Sequence, residues 1–199
     1  MKLLHIDSSI TGSQSVSRQI TASIVAHLKQ TVPDVAISYR DIAAEPVPHQ
    51  SAALLTAKAI GDASPQLQHD LAVLDAALEE FLAADTVVLG VPMYNFGIPS
   101  QLKTWIDSLA VAGKTFHYTE KGAEGLCGGK RVIVASARGG IYTPPSPMAA
   151  FDHQEAYVQK FLGFIGITDI VIIRAEGVAY GPEQRQRALE AALAEASAL

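Results

Sequence analysis

The chain has 199 residues, 49% hydrophobic and 18% charged, which is the composition of a folded domain and excludes a disordered or fibrous chain. A formal charge of −5 argues against nucleic-acid binding, and no apolar run nears the roughly 18 residues that a membrane helix needs. Cys127 is the only cysteine, so no intramolecular disulfide can form, and Asp7 interrupts the N-terminus too early for a signal peptide; the expected location is the cytoplasm.

Five short apolar runs read as strands: residues 3–6, 35–39, 86–91, 132–135 and 170–173. The last three are rich in Val and Ile and nearly continuous, as strands buried on both faces are, while the second alternates, which suits an edge. Helical spacing separates them, over residues 17–30, 65–82, 99–112, 151–165 and 182–196. Such alternation predicts one α/β domain over residues 1–199, a three-layer sandwich with a five-stranded parallel sheet and helices on both faces. A dinucleotide-binding order would want G-x-G-x-x-G after the first strand. Here that loop reads "DSSITGSQSVSRQI", with Gly12 alone among serines, so the flavodoxin-like order 2-1-3-4-5 is expected.

That loop carries Ser8, Ser9, Ser13, Ser15 and Ser17 ahead of a helix. Helix N-termini present unpaired N–H groups and a partial positive charge, and added hydroxyls suit a phosphate monoester. Any one of these serines also reads as a simple N-cap. Arg18 reads either as an added charge or as a solvated surface residue.

Strand three runs into "VPMYNFGIPSQLKTWID", residues 91–107. By the switch-point rule it opens onto the same crevice. Met93, Tyr94 and Phe96 offer an apolar, polarizable wall, and Asn95 offers a donor and an acceptor. With N–H groups of residues 93–98 free between two prolines, the loop suits a flat heteroaromatic ring; core packing is the plainer alternative.

Strand four leads into "SARGGIYTPP", residues 136–145, whose paired glycines allow positive φ and close backbone approach, or mark a turn only. Residues 115–131 are too long for a tight connection and read as a small hairpin or protruding loop, with Phe116 and Tyr118 facing a bound ring or packing on a helix. The histidines show no zinc spacing, no G-x-S-x-G elbow or Walker loop occurs, and no acid–base pair stands out, so no metal ligand and no catalytic side chain is assigned.

The segments "SSITGSQSVSRQ", "VPMYNFGIPSQLKTWID", "TFHYTEKGAEGL", "SARGGIY" and "FLGFIGITD" resemble, in order and over nearly the whole chain, the FMN-dependent NADH-azoreductases, which also reduce quinones. The resemblance implies FMN as bound cofactor, NADH as co-substrate and a ping-pong two-electron reduction of quinones and azo compounds. It implies a homodimer with the flavin close to the subunit interface. Ser9, Ser15 and Ser17 would hold the FMN phosphate, with Val16 contributing backbone. Met93, Tyr94, Asn95 and Phe96 would line the ring, and Ala137, Arg138, Gly139 and Gly140 would contact it through backbone. Tyr118 and Phe161 would wall the substrate cavity. Some members carry histidine where this chain has Tyr142, and the Pro-rich loop of residues 143–147 is distinctive. The rival readings are a flavodoxin-like single-electron carrier and a non-enzymatic module for a phosphorylated ligand.

Overall fold

A computed structural model describes residues 1–61 and 63–199. The described residues form strands β1 (Lys2–Asp7), β2 (Ala36–Asp41), β3 (Thr86–Pro92), β4 (Phe116–Thr119), β5 (Gly122–Gly125), β6 (Arg131–Ala137) and β7 (Asp169–Ala175). The helices are α1 (Val16–Thr31), α2 (Ala52–Ile60), α3 (Pro65–Ala83), α4 (Ser100–Leu109), α5 (Glu155–Phe164) and α6 (Pro182–Ala196). Five strands build one parallel sheet in the order β2-β1-β3-β6-β7. This is the expected 2-1-3-4-5 arrangement once the separate antiparallel β4–β5 hairpin is set aside.

Alternate residues of each strand point to opposite faces, and each face has its own core. Leu4, Ile6, Val87, Leu89, Val132 and Val134 pack with Leu78 and Phe81 of α3, Leu102 and Trp105 of α4, and Leu162 of α5. Leu3, Val88, Ile133 and Ile173 pack with Ile20 and Ile24 of α1 and Leu189 and Ala192 of α6. Every residue of β3 is buried, which explains its unbroken apolar run, whereas β2 is the exposed edge its alternation indicated.

Local chemistry accounts for where the structure departs from the expected boundaries. Helix α2 was not foreseen; Ser51 caps it by accepting the Leu54 N–H, and Gly61 ends it in the left-handed region at φ 78°. Helix α5 starts at Glu155 rather than residue 151, because Pro147–Phe151 forms a 3-10 turn. Asp152 then accepts the N–H groups of Gln154 and Glu155, both at 3.0 Å. Helix α4 starts after Pro99 and ends at Leu109, inside the expected 99–112.

The hairpin is clamped onto the end of α5. A Cβ on Gly125 would lie 2.1 Å from Gly166 N and from Ile165 C, so only glycine permits this approach. The Cys127 N–H donates to Ile165 O at 2.8 Å. Because β1, β3 and β6 are parallel neighbours, the loops that leave them meet at one rim of the sheet.

Candidate functional site

A cavity of about 390 Å³ opens at this rim. Ser9, Ser15, Val16 and Ser17 line one part, Pro92, Met93 and Tyr94 another, and Ala137 and Gly139 a third.

The five serines take different positions. Ser8, fully buried, donates to Gly90 O at 2.6 Å and ties β1 to β3. Ser13 is exposed and does not line the cavity. Ser15 is the N-cap of α1, accepting the Arg18 N–H at 3.2 Å, and its hydroxyl lies 3.1 Å from that of Ser17. The cap and cavity readings of Ser15 therefore hold together. The N–H groups of Val16 and Ser17, first in the helix, have no acceptor among the described residues.

Arg18 fits neither of its two expectations. Its Nε and Nη2 donate to Ser9 O, at 3.2 and 2.8 Å, while Nη1 lies 2.7 Å from Asp41 Oδ2. The hydrogen bond to Asp41 raises the guanidinium pKa and holds the Asp41 carboxyl below its usual range. Arg18 thus fastens the serine loop to β2 from behind, and Asp7 adds to the same knot, with Arg18 Nη1 at 3.6 Å and the Thr21 hydroxyl donating at 2.9 Å.

Residues 94–97 form a tight two-residue turn, with Tyr94 N–H to Gly97 O at 2.9 Å and Gly97 N–H to Tyr94 O at 3.1 Å. The positive φ values fall on Asn95 (47°) and Phe96 (71°), an uncommon region for non-glycine residues, and a strained one for a bulky side chain. Met93 N–H donates to Ala137 O at 2.8 Å, so it, Tyr94 and Gly97 are engaged rather than free; Asn95, Phe96 and Ile98 N–H have no acceptor among the described residues. The Tyr94 hydroxyl lies 3.3 Å from Ser9 Oγ and accepts the Ile10 N–H at 3.2 Å, bridging two sides of the cavity. Asn95 and Phe96 do not line it; Phe96 packs with Tyr142 and Phe151 at ring distances of 6.4 and 5.4 Å.

Neither Gly139 nor Gly140 uses the positive φ that glycine allows. A Cβ on Gly140 would meet the Tyr142 ring at 3.3 Å rather than the cavity, and Gly140 does not line it. The N–H groups of Gly139 and Gly140 nonetheless lack acceptors among the described residues. Arg138 offers no free backbone: its N–H donates to Ala175 O at 2.9 Å and its carbonyl accepts from Val178 at 3.1 Å. Its side chain is 1% exposed, ion-paired to Asp152, Glu155 and Glu176, with Gln154 Oε1 accepting from Nε at 3.0 Å. Burial pushes the Glu176 carboxyl up, but the Tyr142 N–H, Thr143 and Arg138 outweigh it and leave its pKa below the usual value.

Tyr118 and Phe161 do not line this cavity. Tyr118 is 77% exposed on the hairpin, edge-on to Phe116 at 5.4 Å, and Phe161 packs against the α3–α4–α5 core.

The family model described as flavodoxin-like fold matches residues 1–199. A protein of Azospirillum brasilense named FMN-dependent NADH:quinone oxidoreductase is 52% identical over 202 residues, covering 100% of this chain and 97% of its own. One of the same name from Sinorhizobium medicae is 57% identical over 190 residues, covering 95% and 92%. The chain belongs to the flavodoxin-like family of FMN-dependent NADH:quinone oxidoreductases. Among solved structures, an azoreductase from Bacillus anthracis str. Sterne superposes with a TM-score of 0.89 at 32% identity, covering 100% of this chain and 97% of that one. An FMN-dependent NADH-azoreductase from Bacillus anthracis str. Ames Ancestor, solved in complex with FMN, has a TM-score of 0.87 at 29% identity, covering 99% and 98%.

In this quinone oxidoreductase family member, five lining residues escaped the sequence reading: Thr11, Gln14, Pro92 (read only as a stiffener of its loop), Val178 and Arg185. Thr11 and Gln14 sit inside the serine loop and were masked by the serines around them. Val178 and Arg185 follow β7 and reach the cavity only because the sheet brings that loop and α6 to the rim.

Proposed function

We propose that this chain is an FMN-dependent oxidoreductase that passes two electrons from NADH to quinones and to aromatic azo compounds, as its relatives' names indicate for them. FMN held in this cavity would supply the two-electron redox chemistry that a ping-pong exchange between NADH and the acceptor requires. The observation that carries this reading is the pairing of donors at one end of the cavity with a flat wall beside them. The N–H groups of Val16 and Ser17 and the hydroxyls of Ser9, Ser15 and Ser17 suit the phosphate dianion. Pro92, Met93 and Tyr94 suit one side of the ring, with Ala137 and Gly139 near its polar edge. Among the described residues none that lines the cavity is acidic, so nothing in that wall opposes the negative charge of the phosphate or of the reduced ring. The Gly139 N–H, which lines the cavity and has no acceptor among the described residues, is a preorganised donor for that charge.

The whole of residues 1–199 is read as one FMN-binding domain, acting in the cytoplasm as a homodimer. Tyr118 and Phe161, away from their own chain's cavity, would then wall the acceptor site contributed across the interface. The test is the absorbance of the purified full chain mixed with FMN, followed by anaerobic NADH and then a quinone. Uptake of FMN, bleaching by NADH and recovery on adding quinone are expected. A chain that takes up no FMN, or whose bound FMN is untouched by NADH, sinks the reading.

A further inference from the structure

Of the seven arginines, six sit against a carboxylate: Arg18 on Asp7 and Asp41, Arg40 on Glu80, Arg131 on Asp169, Arg138 on its three acids, Arg174 on Glu155 and Arg187 on Glu183. Arg185 is the exception among the described residues. It stands half-buried near the start of α6. Its Nη2 donates to Gln14 O at 2.5 Å, the one hydrogen bond its guanidinium makes among the described residues. A guanidinium carries five N–H donors, so most of its capacity and all of its charge remain unmatched.

The position of this cation is informative. Arg185 lines the same cavity as Ser15, Val16 and Ser17, and Gln14, whose carbonyl it holds, immediately precedes the Ser15 cap. Among the described residues, no acidic one lines that cavity. An unpaired guanidinium beside two N–H groups without acceptors and three hydroxyls is the complement of a doubly charged, multi-acceptor anion. We infer that Arg185 is a ligand of the FMN phosphate, reaching from α6 to close the phosphate end of the site opposite α1. This rests on the reading of the cavity as an FMN site. It adds a direct cation to a cradle otherwise built from neutral donors and a helix end, and its strength depends on salt because the side chain is only half-buried.

The experiment compares FMN with riboflavin, which carries the same ring without the phosphate. Dissociation constants are measured by flavin fluorescence quenching on the full chain, wild type and variants, at low and high salt. Arg185→Ala and Arg185→Gln should each weaken FMN by about tenfold at low salt, or about 1.4 kcal/mol, and by less at high salt. Riboflavin should change by less than about twofold, and Arg185→Lys, which keeps the charge but not the guanidinium fork, should recover part of the FMN affinity. Unchanged FMN affinity in the Ala and Gln variants overturns the inference. Equal losses for FMN and riboflavin overturn it too, since Arg185 would then only brace the turn at Gln14. Wild-type protein that binds neither flavin overturns the FMN reading itself, a result distinct from the other two.

Discussion

Arg138 Nη1 and Glu176 Oε1 meet at 3.1 Å, and that same carboxylate oxygen accepts the N–H groups of Tyr142 at 2.8 Å and Thr143 at 3.1 Å. Through Asp152 and Glu155 the guanidinium also holds the start of α5, and Gln154 Nε2 reaches Val91 O at the end of β3. One buried cation thus joins three segments that frame the rim. Arg138→Met should leave those carboxylates facing one another without a counter-ion, at a cost of about 3–5 kcal/mol. Thermal and urea unfolding measure it; a variant as stable as wild type would refute the clamp.

Tyr94→Phe removes a hydroxyl that bridges Ser9 and the Ile10 N–H but touches little of the core. Each such bond contributes about 1 kcal/mol. FMN affinity should fall severalfold, and the melting temperature by about 2–4 °C for each kcal/mol lost. A large stability loss with unchanged flavin binding would show that the bridge serves the fold instead.

Ser15 serves as helix cap and as part of the cavity at once. Ser15→Ala should cost about 1 kcal/mol of stability, or about 2–4 °C in melting temperature, together with weaker FMN binding. Ser13→Ala, at an exposed residue outside the cavity, is the matched control and should change neither quantity.

The two glycines around the hairpin and α5 should respond in opposite directions. Gly125→Ala drives its Cβ into the backbone at Ile165 and Gly166, so the hairpin must shift, with a loss of about 1–3 kcal/mol. Gly163→Ala, helical and with nothing within 4 Å of its Cβ, should gain about 0.5–1 kcal/mol. Paired denaturation curves check both signs.

Stability should fall on acidification through Asp41 and Glu176. Both carboxyls titrate lower in the folded protein than in the unfolded chain, Asp41 chiefly through its bond to Arg18, Glu176 because its N–H and Arg138 partners outweigh burial. Their contribution is therefore full above the unfolded values, near pH 4, and is lost as pH drops through the folded values. Melting temperature against pH should show this limb, and Asp41→Asn should flatten it. An unaltered acid limb in that variant would count against Asp41.

Alternation of Val- and Ile-rich runs with helical spacing, and the serine loop in place of a glycine fingerprint, were enough to specify the parallel sheet, its order and which loops reach the rim. Those are consequences of period and local chemistry, which one sequence displays. Helix α2 was less legible because its apolar face is short and its caps, Ser51 and Gly61, are ordinary turn residues. Which of five serines face the cavity, why Gly140 must clear Tyr142, and that Arg138 is a buried clamp depended on side-chain direction and on partners far along the chain. Arg185 is the clearest case, since it meets Gln14 across 171 positions of sequence. No local pattern marks such a pairing; only the packing of α6 against α1 on a common face of the sheet brings the two together.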